Sequence, residues 1–95
     1  MKTAAEGLAT RVGFELPQQI LWELLDDFVL VSEEDLERAV LLMIEHTRNL
    51  VEAAGAAALA GALKLGEELS DRRVVLICSG GNITLDQLRG VLSRN

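Results

Sequence analysis

Residues 72–92 read "RRVVLICSGGNITLDQLRGVL". Val74 to Cys78 form a short apolar run, Ser79 to Asn82 a Ser-Gly-Gly-Asn loop, and Thr84 opens a helix. An apolar run rich in β-branched residues and bounded by polar ones reads as a strand buried on both faces, here 73–78. Thr84 followed by Gln87 three residues later is the reciprocal pattern that caps a helix start. Leu85, Leu88, Val91 and Leu92 then recur at helical spacing. A strand, a glycine loop and a helix start in succession form a common cradle for an anionic or polar group.

The same grammar recurs upstream. "DFVLVS" (27–32) is a second apolar run, and Ser32 opens the clearest helix of the chain. Asp35 stands three residues after Ser32 with Glu33 and Glu34 between, acids that the helix dipole favours at this end. Leu36, Ala39, Val40, Met43, Ile44, Thr47, Leu50 and Val51 continue one apolar stripe. "AAGAAALAGALKLGEEL" (53–69) is helical by alanine content and apolar nearly all round, which calls for close neighbours, and Gly66 marks its fraying end. Pro17 suits a first helical turn, and Ile20, Leu21, Leu24 and Leu25 extend that helix over 16–25. Residues 1–14, broken by Gly7 and Gly13, read as loop with room for one helical turn. The order α-β-α-α-β-α predicts an α/β fold: a fragment of a parallel sheet flanked by helices, with a right-handed crossover. Two apolar strands cannot supply each other's neighbours on both edges, and unpaired edges invite another chain. The expected setting is a larger sheet, completed by a homo-oligomer or a complementing chain.

Composition narrows the classes. Ninety-five residues suit a single domain over 1–95, with 49% hydrophobic residues and a formal net charge of −6. That charge speaks against a nucleic-acid or anionic-membrane partner, which needs a basic patch. The single cysteine, Cys78, leaves no internal disulfide and no paired-cysteine zinc pattern. The amino-terminal residues carry no apolar signal core, and no run approaches the ~18 apolar residues of a membrane span. The expected location is the cytoplasm.

Four segments then carry a family resemblance: "TAAEGLATR" (3–11), "DDFVLVSEEDLERAV" (26–40), "RNLVEAAGAAALAGAL" (48–63) and "VVLICSGGN" (74–82). In this order they resemble the carboxy-terminal third of threonine/serine dehydratases. These are pyridoxal-phosphate lyases of the tryptophan-synthase-β fold type, related to serine racemase, that deaminate an amino acid to a 2-oxo acid. The resemblance implies that Ser79 hydrogen-bonds the pyridine nitrogen of the cofactor, with Gly80 beside it. It places Glu52, of a Glu-x-x-Gly motif ending at Gly55, near the same edge of the ring. It places Glu6 and Gly7, of an Ala-(Asp/Glu)-Gly motif that begins at Ala5, along the active site near the cofactor's O3′ side. Glu6 stands where many members carry Asp, and Ala53 where many carry Pro.

The resemblance also shows what is missing. The family's Schiff-base lysine lies in a Ser-x-Lys-x-Arg-Gly motif near the enzyme's amino terminus, and its phosphate sits on a separate glycine-rich loop. Neither motif occurs here, and Lys2 and Lys64 are the only lysines. No catalytic residue is therefore assigned, and the isolated chain is expected to be inactive. Non-catalytic readings stand beside this one: a self-associating module, or a remnant that binds a small molecule at the Ser79 loop. Ser79 has the alternative of a turn residue ending a buried strand. Gly80 and Gly81 either cradle a ligand by close backbone approach or supply positive φ for the turn, and Glu52 has the alternative of a helix cap exposed to water. His46 reads as a surface residue, Cys78 as a small core residue, and Trp22 and Phe28 as core or contact residues.

Overall fold

The structure, a computed structural model, describes residues 2–95. Among the described residues four helices carry it: α1 (Glu15–Leu24), α2 (Glu33–Thr47), α3 (Ala57–Leu65) and α4 (Leu85–Arg94). Short 3₁₀ turns occupy Glu6–Leu8 and Gly66–Leu69. There is no strand among the described residues, so the expected α/β sheet fragment is corrected to an all-helical chain. The physical reason is pairing. A strand exists only as part of a ladder, and neither apolar run finds one. No backbone–backbone hydrogen bond involves residues 26–31 or 73–79 among the described residues. The side chains expected to be buried on both faces are largely open to solvent: Phe28 is 73% exposed and Val75 86%.

The helix starts follow the sequence closely. Ser32 Oγ accepts the Asp35 N–H at 3.1 Å, and Asp35 Oδ2 accepts the Ser32 N–H at 2.9 Å. The Ser32 N–H foremost, and the Ser32 hydroxyl after it, hold the Asp35 carboxyl below its ordinary range. Thr84 and Gln87 repeat the arrangement at 3.1 and 2.9 Å. The helix ends are less regular. The apolar stripe of α2 runs on to Val51, yet the helix stops at Thr47 because Arg48 adopts a left-handed conformation (φ 59°). Residues 53–56 form turns rather than the first helical turn of α3. Gly66, at φ +53°, switches α3 into the following 3₁₀ turn, a conformation glycine takes without a Cβ penalty.

α2 packs against both α3 and α4. The buried set is Ala5, Leu36, Ala39, Val40, Val51, Ala54, Ala56, Ala60 and Val91. Alanine dominates it and Val40 is its largest fully buried side chain, so the core is thin and depends on close backbone approach. α4 is clasped to α2 at its far end. Glu37 is ion-paired with Arg94, whose Nε donates to Glu37 Oε1 at 2.7 Å, and Asn95 Nδ2 donates to Glu37 Oε2 at 3.3 Å. The Arg94 bond holds the Glu37 carboxyl below its usual range and raises the guanidinium in turn.

α1 buries none of its residues, and Trp22 is 81% exposed; Trp22 and Phe28 are thus not core. Cys78 is also exposed, correcting its expected place in the core, whereas His46 lies at the surface as expected. The molecule is a slab of 40 × 35 × 19 Å with a radius of gyration of 14.2 Å. A compact 95-residue domain would have a radius near 12 Å. Its accessible surface is 7664 Å², against about 5,400 Å² expected for a compact monomer of this mass. No helix among the described residues is long and apolar enough to cross a membrane.

Candidate functional site

Three separated stretches meet at the Ser79–Asn82 loop. The turn before α3 brings Glu52 and Gly55 under the loop, and the 3₁₀ turn at Glu6–Leu8 brings Gly7 beside them. The Glu52 N–H donates to the Gly80 carbonyl at 3.4 Å, and Glu52 Oε1 accepts the Asn82 N–H at 3.3 Å. A Cβ on Gly80 would collide with Glu52 Oε1, and one on Gly55 would collide with the Gly80 carbonyl oxygen. A Cβ on Gly7 would lie 3.0 Å from Ala54 Cβ and 3.8 Å from Glu52 Oε2. On the other flank, one on Gly81 would lie 2.7 Å from the Leu50 carbonyl oxygen. Gly55 and Gly81 are required by backbone approach, since a side chain at either would hold two main chains apart; Gly80 and Gly7 leave room for the side chains of Glu52 and Ala54.

Ser79 faces the open side of this junction. It lines a cleft of about 390 Å³ with Met43, Leu50, Val51, Cys78, Gly80 and Gly81. That volume lies within the range of small-molecule sites, roughly 300–1,000 Å³. The Ser79 side chain makes no hydrogen bond among the described residues, so a neutral hydroxyl is available at the cleft wall. Glu52 does not line the cleft; its carboxylate lies behind the loop.

Of the residues singled out from the sequence, Gly7, Glu52 and Gly80 are brought together, with Ser79 adjacent in the chain. Glu6 is exposed at the start of its 3₁₀ turn and makes no hydrogen bond to the loop. Gly81 and Asn82 were not placed in the candidate site, nor was Gly55, although the last closes the Glu-x-x-Gly motif. Its spacing from Glu52 was the available signal. The roles of Gly81 and Asn82 depend on main-chain contacts, for which no side-chain pattern exists.

Pyridoxal phosphate fits part of this arrangement. The free hydroxyl, the backbone-lined wall and the cleft volume suit one edge of a flat heteroaromatic ring. The lysines lie elsewhere. Lys64 Nζ donates to the Leu30 carbonyl at 2.6 Å beside Ser32 and Asp35, and Lys2 lines a separate groove with Phe28 and Leu30. Neither borders the Ser79 cleft.

Comparison with known proteins identifies the family. Residues 1–80 match the family described as pyridoxal-phosphate dependent enzyme. The L-threonine dehydratase catabolic TdcB of Escherichia coli (strain K12) is 38% identical over 88 residues, covering 90% of this chain and 27% of that protein. The protein of the same name from Staphylococcus aureus (strain USA300) is 34% identical over 93 residues, covering 95% of this chain and 27% of that protein. The chain thus spans about a quarter of the length of the curated relatives it matches.

Proposed function

Since the chain belongs to the pyridoxal-phosphate dependent enzymes, we propose that it forms one wall of the cofactor site of a threonine/serine dehydratase-like lyase. The reaction is deamination of a hydroxy amino acid to a 2-oxo acid, and the setting is cytoplasmic. The observation that carries this reading is the convergence of residues 7, 52–55 and 79–82 into one backbone-packed junction beside a cleft. Pyridoxal phosphate, when bound, supplies the electron-withdrawing ring on which such eliminations depend. Ser79 offers its hydroxyl to the ring nitrogen, and as a neutral group it places no formal charge there. Gly80 and Gly81 let the main chain lie close to the ring edge. Leu50 and Val51 provide apolar contact on the same wall.

The chain has no lysine at the cleft, so these residues supply binding and orientation, while the proton-transferring lysine and the phosphate loop belong to sequence outside residues 1–95. The unpaired runs 26–31 and 73–79 support such an outside segment. So does the surface excess of roughly 2,300 Å² over a compact monomer, which matches the area of an obligate interface.

The test combines the purified chain with pyridoxal phosphate and borohydride, alone and with a separately produced segment bearing the Ser-x-Lys-x-Arg-Gly motif. The expected result is a lysine-trapped cofactor and 2-oxo acid from threonine or serine only in the mixture. Trapping on Lys2 or Lys64 with turnover by the chain alone would overturn the division of roles. A mixture that neither traps cofactor nor turns over defeats the reading. The second reading, a self-associating non-catalytic module, draws on the same exposed apolar runs. Sedimentation separates the two, since a well-folded monomer at micromolar concentration is incompatible with self-association.

A further inference from the structure

We propose that Glu52 is the positioning residue of the Ser79 loop, acting from behind it rather than by touching the ligand. The proposal rests on the reading of Ser79 as a cofactor-facing residue and adds how that residue is held in place. Residues 79–82 have two hydrogen bonds to a distant part of the described chain, and Glu52 makes both. Its backbone N–H donates to the Gly80 carbonyl at 3.4 Å, and its carboxylate accepts the Asn82 N–H at 3.3 Å. The remaining bond within reach is local, from the Ile83 N–H to the Gly81 carbonyl at 2.9 Å. Glu52 Oε1 also occupies the space that a side chain at position 80 would need, while Oε2 points toward Gly7. One carboxylate therefore bonds the loop and faces the Gly7 stretch. It is absent from the residues lining the cleft, which separates this role from direct contact with a bound ring.

The chemistry explains the residue type. A carboxylate accepts a backbone N–H more strongly than a neutral group does. Its two-methylene stem lets the oxygen return to the loop while the same residue's N–H bonds Gly80. Glutamine keeps both the length and one acceptor oxygen; alanine keeps only the backbone bond.

Amide hydrogen exchange on the ¹⁵N-labelled full chain tests this without cofactor. Glu52→Ala is expected to speed exchange at Asn82 about tenfold, since a hydrogen bond to a charged group is lost, with α2 and α3 unchanged. Glu52→Gln is expected to restore most of the protection. Glu52→Asp keeps the charge but shortens the stem by one methylene, and is expected to lose the protection at Asn82. If Glu52→Ala does not fold, Glu52→Asp decides. Unchanged Asn82 exchange in a folded Glu52→Ala, or in Glu52→Asp, would overturn the proposal. Adding pyridoxal phosphate to the same samples keeps the two ideas apart. Should Ser79 and Gly80 resonances ignore the cofactor while the exchange result stands, the cofactor reading fails and the positioning role survives.

Discussion

At Gly55 a Cβ would meet the carbonyl oxygen of Gly80, and at Gly80 it would meet the Glu52 carboxylate. The first obstacle is main chain and cannot swing aside; the second is the end of a flexible side chain. Gly55→Ala should therefore cost about 1–3 kcal/mol, the range of overpacked sites, and Gly80→Ala should cost less. Gly61, in α3, has nothing within 4 Å of its Cβ position, so Gly61→Ala should stabilise by about 0.4–1 kcal/mol. Urea denaturation of the three variants checks this order. Single residues were the most legible part of the candidate site. Ser79, Gly80, Glu52 and Gly7 stand in motifs, and all but Ser79 are brought into contact at one junction. Leu50 and Asn82 were not legible because they act through carbonyl and amide groups that every residue shares.

The capping residues mark the starts of α2 and α4 in sequence, because a hydroxyl and an acid or amide at fixed spacing can satisfy the free N–H groups of a helix start. The stop of α2 was hidden. Arg48 enters the left-handed region although it is not glycine, so the apolar stripe suggested a longer helix than forms. The two strands failed for a different reason: their side-chain patterns are those of strands, but strand formation depends on partners that a pattern cannot contain. Between α2 and α4 the Glu37 clasp makes a pH prediction. The folded carboxyl lies below its ordinary value of about 4.5, so its stabilisation is fully present above that value. It is lost as pH falls through the lower folded value. The stability difference between the chain and Glu37→Gln, measured by urea denaturation, should shrink steadily as pH is lowered from 6 to about 3.

The slab has fewer large buried side chains than its composition offers. Leu24, Phe28, Leu30, Val75 and Ile77 stay exposed while alanines make up most of the core. Composition revealed the surplus of apolar residues but not where it would lie, since that depends on which surfaces pack together in three dimensions. The thinness of the core has a calorimetric consequence. The heat-capacity change of unfolding follows the apolar surface exposed, about 1.2–1.5 kcal/mol/K for an ordinary 100-residue domain. This chain should fall well below that figure in differential scanning calorimetry. The balance should appear as a negative heat-capacity change when the complementing segment binds, measured by titration calorimetry at several temperatures. Much of what other domains record as the heat signature of folding would here be recorded as the heat signature of assembly.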